Sequence, residues 1–233
     1  MRAARGIVIA VAVLALLASG LYYADGRFER RTEQQVAAEL QRQLGTPEPP
    51  TVDIEGRPFL TQVASRSIST VDVLADQIGV ANEAPLVLAR ADLVLSDVTS
   101  EDWFTTMLVS HAAGTARVDY SVLQSLAGVP LTYVGNGRVQ IVETATVFGQ
   151  HVEAKITGAP TLNAREQTIS LNDPTISVAT ITLPEFTAKA LLRALLKPIP
   201  VSGVPFGLTL TSVSALDDGL HADIVGDNLA ISR

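Results

Sequence analysis

The pattern that most constrains this chain is an alternation of apolar and polar residues, which begins near Thr51 and continues almost to the last residue. Such a period of two is typical of strands that bury one face. In the segment 85–99 every second position is apolar, namely Val87, Ala89, Ala91, Leu93 and Leu95. Turn signals separate the alternating segments, among them 135–137 (Gly-Asn-Gly), 172–174 (Asn-Asp-Pro) and 216–219 (Leu-Asp-Asp-Gly). Long antiparallel strands are therefore predicted for most of the chain.

Two segments with helical spacing interrupt the strands, which makes the predicted fold class α+β. Residues 119–128 end at a glycine, and residues 183–198 are bounded by Pro184 and Pro198. The second helix has an apolar face made of Phe186, Ala190, Leu191, Ala194 and Leu195. Basic residues recur every four positions on another face, at Lys189, Arg193 and Lys197. This basic stripe is either a solvated surface or a contact with lipid phosphates.

The N-terminus predicts export. Arg2 and Arg5 precede an uncharged apolar run over residues 6–24, which as a helix spans roughly 28 Å, close to the hydrocarbon thickness of a bilayer. We predict a single-pass anchor with an extracytoplasmic (periplasmic) domain; the competing interpretation is a signal peptide cleaved after 18–20 (Ala-Ser-Gly), which leaves a soluble exported protein. The predicted organisation is an anchor or signal segment over 1–25, an amphipathic helix and Pro-rich linker over 26–50, and a single domain over 51–233.

Composition and missing motifs narrow the function. A formal charge of −7 argues against nucleic-acid binding, and the absence of cysteine excludes disulfides and thiolate sites. The common hydrolase, nucleotide and zinc-protease signatures are missing. His111, His151 and His221 lie in separate strand-like segments, and Asp217 and Asp218 lie in a turn where solvated side chains are expected. We expect no catalytic residue, no metal and no cofactor.

The stretch 56–63, Gly-Arg-Pro-Phe-Leu-Thr-Gln-Val, predicts a short helix or tight turn, since a glycine and a proline precede the apolar residues. If it is helical, Leu60 and Val63 share a face and Phe59 lies beside them. These side chains either fill an ordinary core or line a ligand cavity.

Four segments together resemble the LmeA-like phospholipid-binding proteins of actinomycete cell envelopes. The segments are 52–63, 86–98, 116–123 and 200–232, and the resemblance runs from about Tyr23 to Ser232. It implies a tubular lipid-binding (BPI-like) fold, in which a long curved antiparallel β-sheet wraps a helix and encloses an apolar cavity. It also implies a phospholipid ligand, phosphoinositides included, and a role in envelope lipid or lipoglycan maintenance, with the membrane and proteins of envelope glycolipid synthesis as partners.

In such a fold our interpretation assigns two sets of site residues. The lipid-lining set is Phe59, Leu60, Val63, Leu93, Leu95, Phe186, Leu191, Leu195, Phe206, Leu208 and Leu210. The headgroup or membrane-contact set is Lys189, Arg193 and Lys197. The leading hypothesis is a membrane-tethered phospholipid-binding protein that holds or transfers lipid without catalysis. The alternatives are a structural or scaffolding envelope protein with a solid core, and an envelope hydrolase with an unrecognised site.

Overall fold

The computed structural model describes residues 25–42, 44–81, 85–100, 106–147, 150–178, 184–196, 198–201 and 207–232. The helices within these ranges are α1 (25–42), α2 (Phe59–Ser65), α3 (Tyr120–Ala127) and α4 (Glu185–Leu195). The strands are β1 (Thr51–Glu55), β2 (Ser67–Ala81), β3 (Pro85–Thr99), β4 (Thr106–Val118), β5 (Leu131–Tyr133), β6 (Val139–Val147), β7 (Gln150–Asn163), β8 (Thr168–Val178), β9 (Ile199–Pro200), β10 (Thr209–Leu216) and β11 (Gly219–Ser232).

The strands pair into two antiparallel sheets. One has six strands in the order β1-β2-β3-β4-β11-β10, and the other has five in the order β5-β6-β7-β8-β9. The predicted α+β class with mainly antiparallel strands is confirmed. In the described residues both strand orders have free ends, so neither sheet closes into a barrel. The resemblance implies a single curved sheet, whereas the described strands form two sheets. Helix α3, which ends at the left-handed Gly128 (φ 69°), separates β4 of the first sheet from β5 of the second.

The two sheets meet where the turn between β7 and β8 contacts β10. The side-chain amide of Gln167 accepts a hydrogen bond from Leu210 N (3.3 Å) and donates one to Leu210 O (3.2 Å), as a neighbouring strand would. Leu210 is buried in a cluster with Ala116 and Ile224, against which Leu162 of β7 also packs. This junction therefore joins the sheets by side-chain-to-backbone hydrogen bonds and by apolar burial.

Helix α1 covers the apolar face of the six-stranded sheet. Ala37 is buried in the core of that sheet, with Val36 and Leu40 packed beside it. The Glu33 carboxylate accepts a hydrogen bond from Ile54 N at 3.1 Å on edge strand β1. The predicted amphipathic helix is thus present, and its apolar face is part of the fold's core.

One predicted turn is wrong. Asn172–Pro174 does not end a strand, because β8 runs continuously from Thr168 to Val178. Asp173 takes a left-handed φ of 43°, and the register of β7 against β8 shifts between Thr157 and Ala159. A bulge of this kind accommodates a proline without breaking the strand.

None of the helices in the described part of the chain has both the length and the apolar character needed to span a bilayer. Residues 1–24, which hold nearly all of the predicted anchor or signal segment, lie outside that part.

Candidate functional site

The first turn of α2 is held by a carboxylate from a distant part of the chain. Asp25, at the start of the described α1, accepts hydrogen bonds from Phe59 N (2.8 Å) and Leu60 N (2.7 Å). The first amides of a helix have no partner within the helix, so the carboxylate supplies the missing acceptors. The Gln62 side chain donates to Gly56 O (2.8 Å) and accepts from Ser69 N (3.0 Å). These contacts fix α2 and direct Phe59 inward.

Phe59 lies at the centre of an apolar cluster between α1 and the six-stranded sheet. Its side chain is only 2% exposed, and Val63, Leu93, Leu95 and Leu208 pack against the same cluster. Leu93 and Leu208 also pack against the neighbouring cluster that contains Leu210. The structure therefore brings together six of the predicted lining residues, from α2, β3, β10 and the segment just before β10.

Two other predicted lining residues point away from this cluster. Leu60 is 37% exposed and Phe186 is 84% exposed. The sequence predicts Phe186 on the apolar face of its helix. Among the side chains of that face that the structure describes, Leu191 packs on a buried cluster, beside Ala154 and Val178. Leu191 is five positions after Phe186, which corresponds to a rotation of about 140° around the helix axis. The two side chains therefore lie on different sides of the helix. Phe206, Lys197 and the side chain of Leu195 lie outside the described part of the structure.

The exposed side of α4 combines an aromatic ring with basic groups. Phe186, Lys189 and Arg193 are exposed and spaced by three and four residues, which places them on one helix face. Lys189 Nζ lies 2.6 Å from the Glu185 carboxylate, one turn away. We refer to these three residues as the α4 outer face.

Two open clefts lie apart from the apolar cluster. One has a volume of about 720 Å³ and is lined by Gly45, Pro47, Asp76, Gln77, Val87, Ala89, Arg117, Asp119 and Val122. The other is about 360 Å³ and is lined by Arg90, Asp92, Thr115, Arg117, Asp218 and His221. None of the predicted lining residues is among these, and the walls carry charged groups that suit water or a polar ligand better than acyl chains.

A row of charged side chains crosses the six-stranded sheet at the clefts. Asp76, Arg90, Arg117 and His221 are register neighbours on β2, β3, β4 and β11. Sequence analysis did not predict this row, because its members lie on four different strands and the contact of Arg117 with Asp218 joins residues 101 positions apart. Within the described residues, no group of three His, Asp or Glu side chains is arranged to hold a metal ion.

Asp218 neutralises part of this row. It lies 2.8 Å from His221 Nε2 and 3.0 Å from the Arg117 guanidinium. These contacts, with the His221 hydrogen bond first, lower the pKa of Asp218 below its usual value. The guanidinium Nε of Arg117 is buried without a hydrogen-bond partner in the described part of the chain. Asp218 is an exposed turn residue, as the sequence predicted, and it is also an ion-pair partner of Arg117.

A second close His–carboxylate contact is remote from this one. His111 Nδ1 of β4 lies 2.7 Å from Asp227 Oδ1 of β11. His111 and Arg117 are six residues apart on β4, and Arg117 is the register neighbour of His221. Six strand residues span about 20 Å, so the two histidines do not form a common site.

Tyr120 provides a measurable test of the packing beside Asp218. Its hydroxyl donates to Leu216 O at 2.7 Å, and burial raises its pKa to about 12. Because the folded pKa exceeds the unfolded value of about 10, the stabilising effect is complete below pH 10 and is lost as the pH rises through 12. We expect Tyr120→Phe to remove a component of the tyrosinate absorbance titration that has its midpoint near pH 12. Unfolding of the variant should also depend less on pH between 10 and 12, and an unchanged titration curve would contradict the assignment.

The comparison with known families bears directly on the apolar cluster. The profile of the LmeA-like phospholipid-binding family matches residues 23–224. The chain belongs to this family. The match begins just before α1 and ends within β11, so it includes the six clustered residues and the α4 outer face. No curated protein and no solved structure gives a significant match. Lipid binding is therefore the function that the family suggests.

Proposed function

We propose that this protein binds a phospholipid and holds or transfers it outside the cytoplasm, without catalysis, while residues 6–24 tether it to the membrane. The observation that carries the proposal is the family match over residues 23–224. Phosphoinositides are included as ligands, and the biological setting is the maintenance of envelope lipids or lipoglycans. If the N-terminal segment is cleaved, the same domain acts as a soluble exported carrier.

The apolar cluster is the proposed position of the acyl chains. Phe59, Leu93 and Leu208 belong to segments far apart in sequence, yet they converge in one apolar cluster that also contains Ala37 of α1. Removing a lipid with about 30 methylene groups from a bilayer costs about 0.8 kcal/mol for each group exposed to water. An apolar interior that opens under α1 offsets most of that cost. The proposal therefore requires α1 to separate from the sheet as the lipid enters.

The α4 outer face is the proposed contact with a membrane. Phe186 is 84% exposed and lies on the same helix face as the exposed Lys189 and Arg193. Aromatic rings sit readily at the headgroup level of a bilayer, and neighbouring Lys and Arg side chains attract anionic lipids. The half-buried Leu191 on the other side packs the helix against β7 and β8.

Native mass spectrometry of the full-length protein released from detergent tests the ligand. We expect a mass increase that corresponds to a bound phospholipid, either co-purified or taken up after addition. A protein that carries no lipid and takes up none would instead support the scaffolding alternative with a solid core.

A transfer assay tests the α4 outer face. The full-length protein in donor vesicles should move a fluorescent phospholipid to acceptor vesicles that contain anionic lipid. We expect Phe186→Ala, and Lys189→Glu with Arg193→Glu, to slow the transfer, with the charge effect diminishing at high salt. Val134→Ala is the matched control, because Val134 is also an exposed apolar residue (46%) but lies after β5. Equal rates for all variants would exclude α4 as the contact.

A further inference from the structure

The corner where α1 meets α2 carries exposed apolar and basic side chains beside the entry point of the N-terminal segment. We propose that this corner, formed by Arg27, Phe28, Arg30, Arg31 and Leu60, is a second lipid-contact surface. It seats the domain on the anionic surface of the membrane that residues 6–24 enter. The inference rests on the proposed function, since it takes residues 6–24 to be a membrane anchor.

Asp25 couples the corner to the N-terminal segment. It directly follows the uncharged run that ends at Ala24, and it is only 4% exposed. Its carboxylate holds the amides of Phe59 and Leu60 at 2.8 and 2.7 Å. If the membrane-spanning segment ends at residue 24, Asp25 lies at the membrane interface. The first turn of α2 must then lie there as well, because Asp25 binds it, although Leu60 is 35 positions further along the chain.

The exposed chemistry of the corner fits a lipid surface. Phe28 is 53% exposed and Leu60 is 37% exposed. Phe28 follows Asp25 by three residues, so it lies one helical turn from the carboxylate that holds α2. The apolar side chains of a helix that lies at a membrane interface insert about 5–10 Å into the boundary between headgroups and acyl chains.

In the corner, the basic side chains are exposed and the acidic side chains are buried. Arg27, Arg30 and Arg31 are exposed, and no ion pair involves them among the described residues. The acidic residues of the same turns, Asp25 and Glu29, are buried. The outer surface is therefore basic, although the whole chain has a formal charge of −7. Clustered arginines next to a membrane attract anionic headgroups.

Spin-label depth measurements on the full-length protein test this inference. The chain has no cysteine, so a single introduced cysteine carries the only label. We would place labels at Leu60→Cys and, separately, Phe28→Cys, in vesicles of phosphatidylcholine with phosphatidylglycerol. Val134→Cys is the aqueous control and Val13→Cys reports on the anchor. At positions 28 and 60 we expect greater accessibility to oxygen than to a water-soluble nickel complex, with the reverse at position 134.

The outcomes separate this inference from the function on which it rests. One outcome would overturn the corner surface alone. In that outcome the label at position 13 is buried in the membrane, but the labels at 28 and 60 are as accessible to nickel as the label at 134. A label at position 13 that stays in water overturns the tether and the corner together, while the mass-spectrometric test of lipid binding still stands. Replacing Arg27, Arg30 and Arg31 with glutamine should reduce the immersion of the label at position 60. If the label at position 60 is equally immersed with and without the three glutamine substitutions, the proposed role of the arginines is overturned.

Discussion

Phe59→Ala is expected to destabilise the folded domain by about 3–5 kcal/mol. The Phe59 ring is 2% exposed and belongs to the cluster between α1 and the six-stranded sheet. Truncation removes the apolar contacts of the ring and leaves a cavity that the surrounding strands fill only in part. Urea unfolding of the full-length protein in detergent, followed by circular dichroism, measures the change.

The neighbouring Leu60→Ala is the matched control for this effect. Leu60 belongs to the same helix but is 37% exposed, so its truncation should cost about 1 kcal/mol or less. Equal losses for the two variants would mean that Phe59 is not the buried centre of α2. Lipid content measured on the same samples adds a functional readout. If acyl chains occupy the cluster, Phe59→Ala should change the amount of bound lipid, while Val134→Ala, at an exposed position after β5, should leave it unchanged.

Gly114→Ala is expected to cost more than about 3 kcal/mol, the upper end of ordinary overpacking. Gly114 lies on β4 opposite Leu93 of β3 and Ile224 of β11. A Cβ atom at this position would lie 2.0 Å from Asp92 O and 2.9 Å from Leu93 Cα. Both are backbone atoms in a paired strand, so relief requires the strands to separate. The midpoint of urea unfolding measures the loss.

Gly79→Ala is the control substitution in the same sheet. Gly79 lies on β2 opposite Val87, and a Cβ atom there meets nothing within 4 Å. Alanine restricts the unfolded chain more than glycine does, so the effect should be a small stabilisation, up to about 1 kcal/mol. A Gly114→Ala protein as stable as the Gly79→Ala protein would contradict the close approach of β3 and β4.

Sequence patterns alone predicted the local elements of this protein. Alternation predicted β3 with its inward Ala91, Leu93 and Leu95, because a strand places every second side chain on one face. The glycine at 128 and the proline at 184 predicted helix ends, because their permitted backbone angles suit those positions. The order of motifs identified the family that the profile match confirms.

Tertiary structure decided which of these elements meet. The division into two sheets depends on β11 returning to β4, a pairing between residues that are far apart in the chain. The exposure of Phe186 depends on which side of α4 contacts β7 and β8, and helical spacing alone allows either side. The cap on α2 by Asp25 and the pairing of Asp218 with Arg117 likewise join distant residues. A one-dimensional pattern specifies the face on which a side chain lies, while its partner across the fold depends on chain topology and packing.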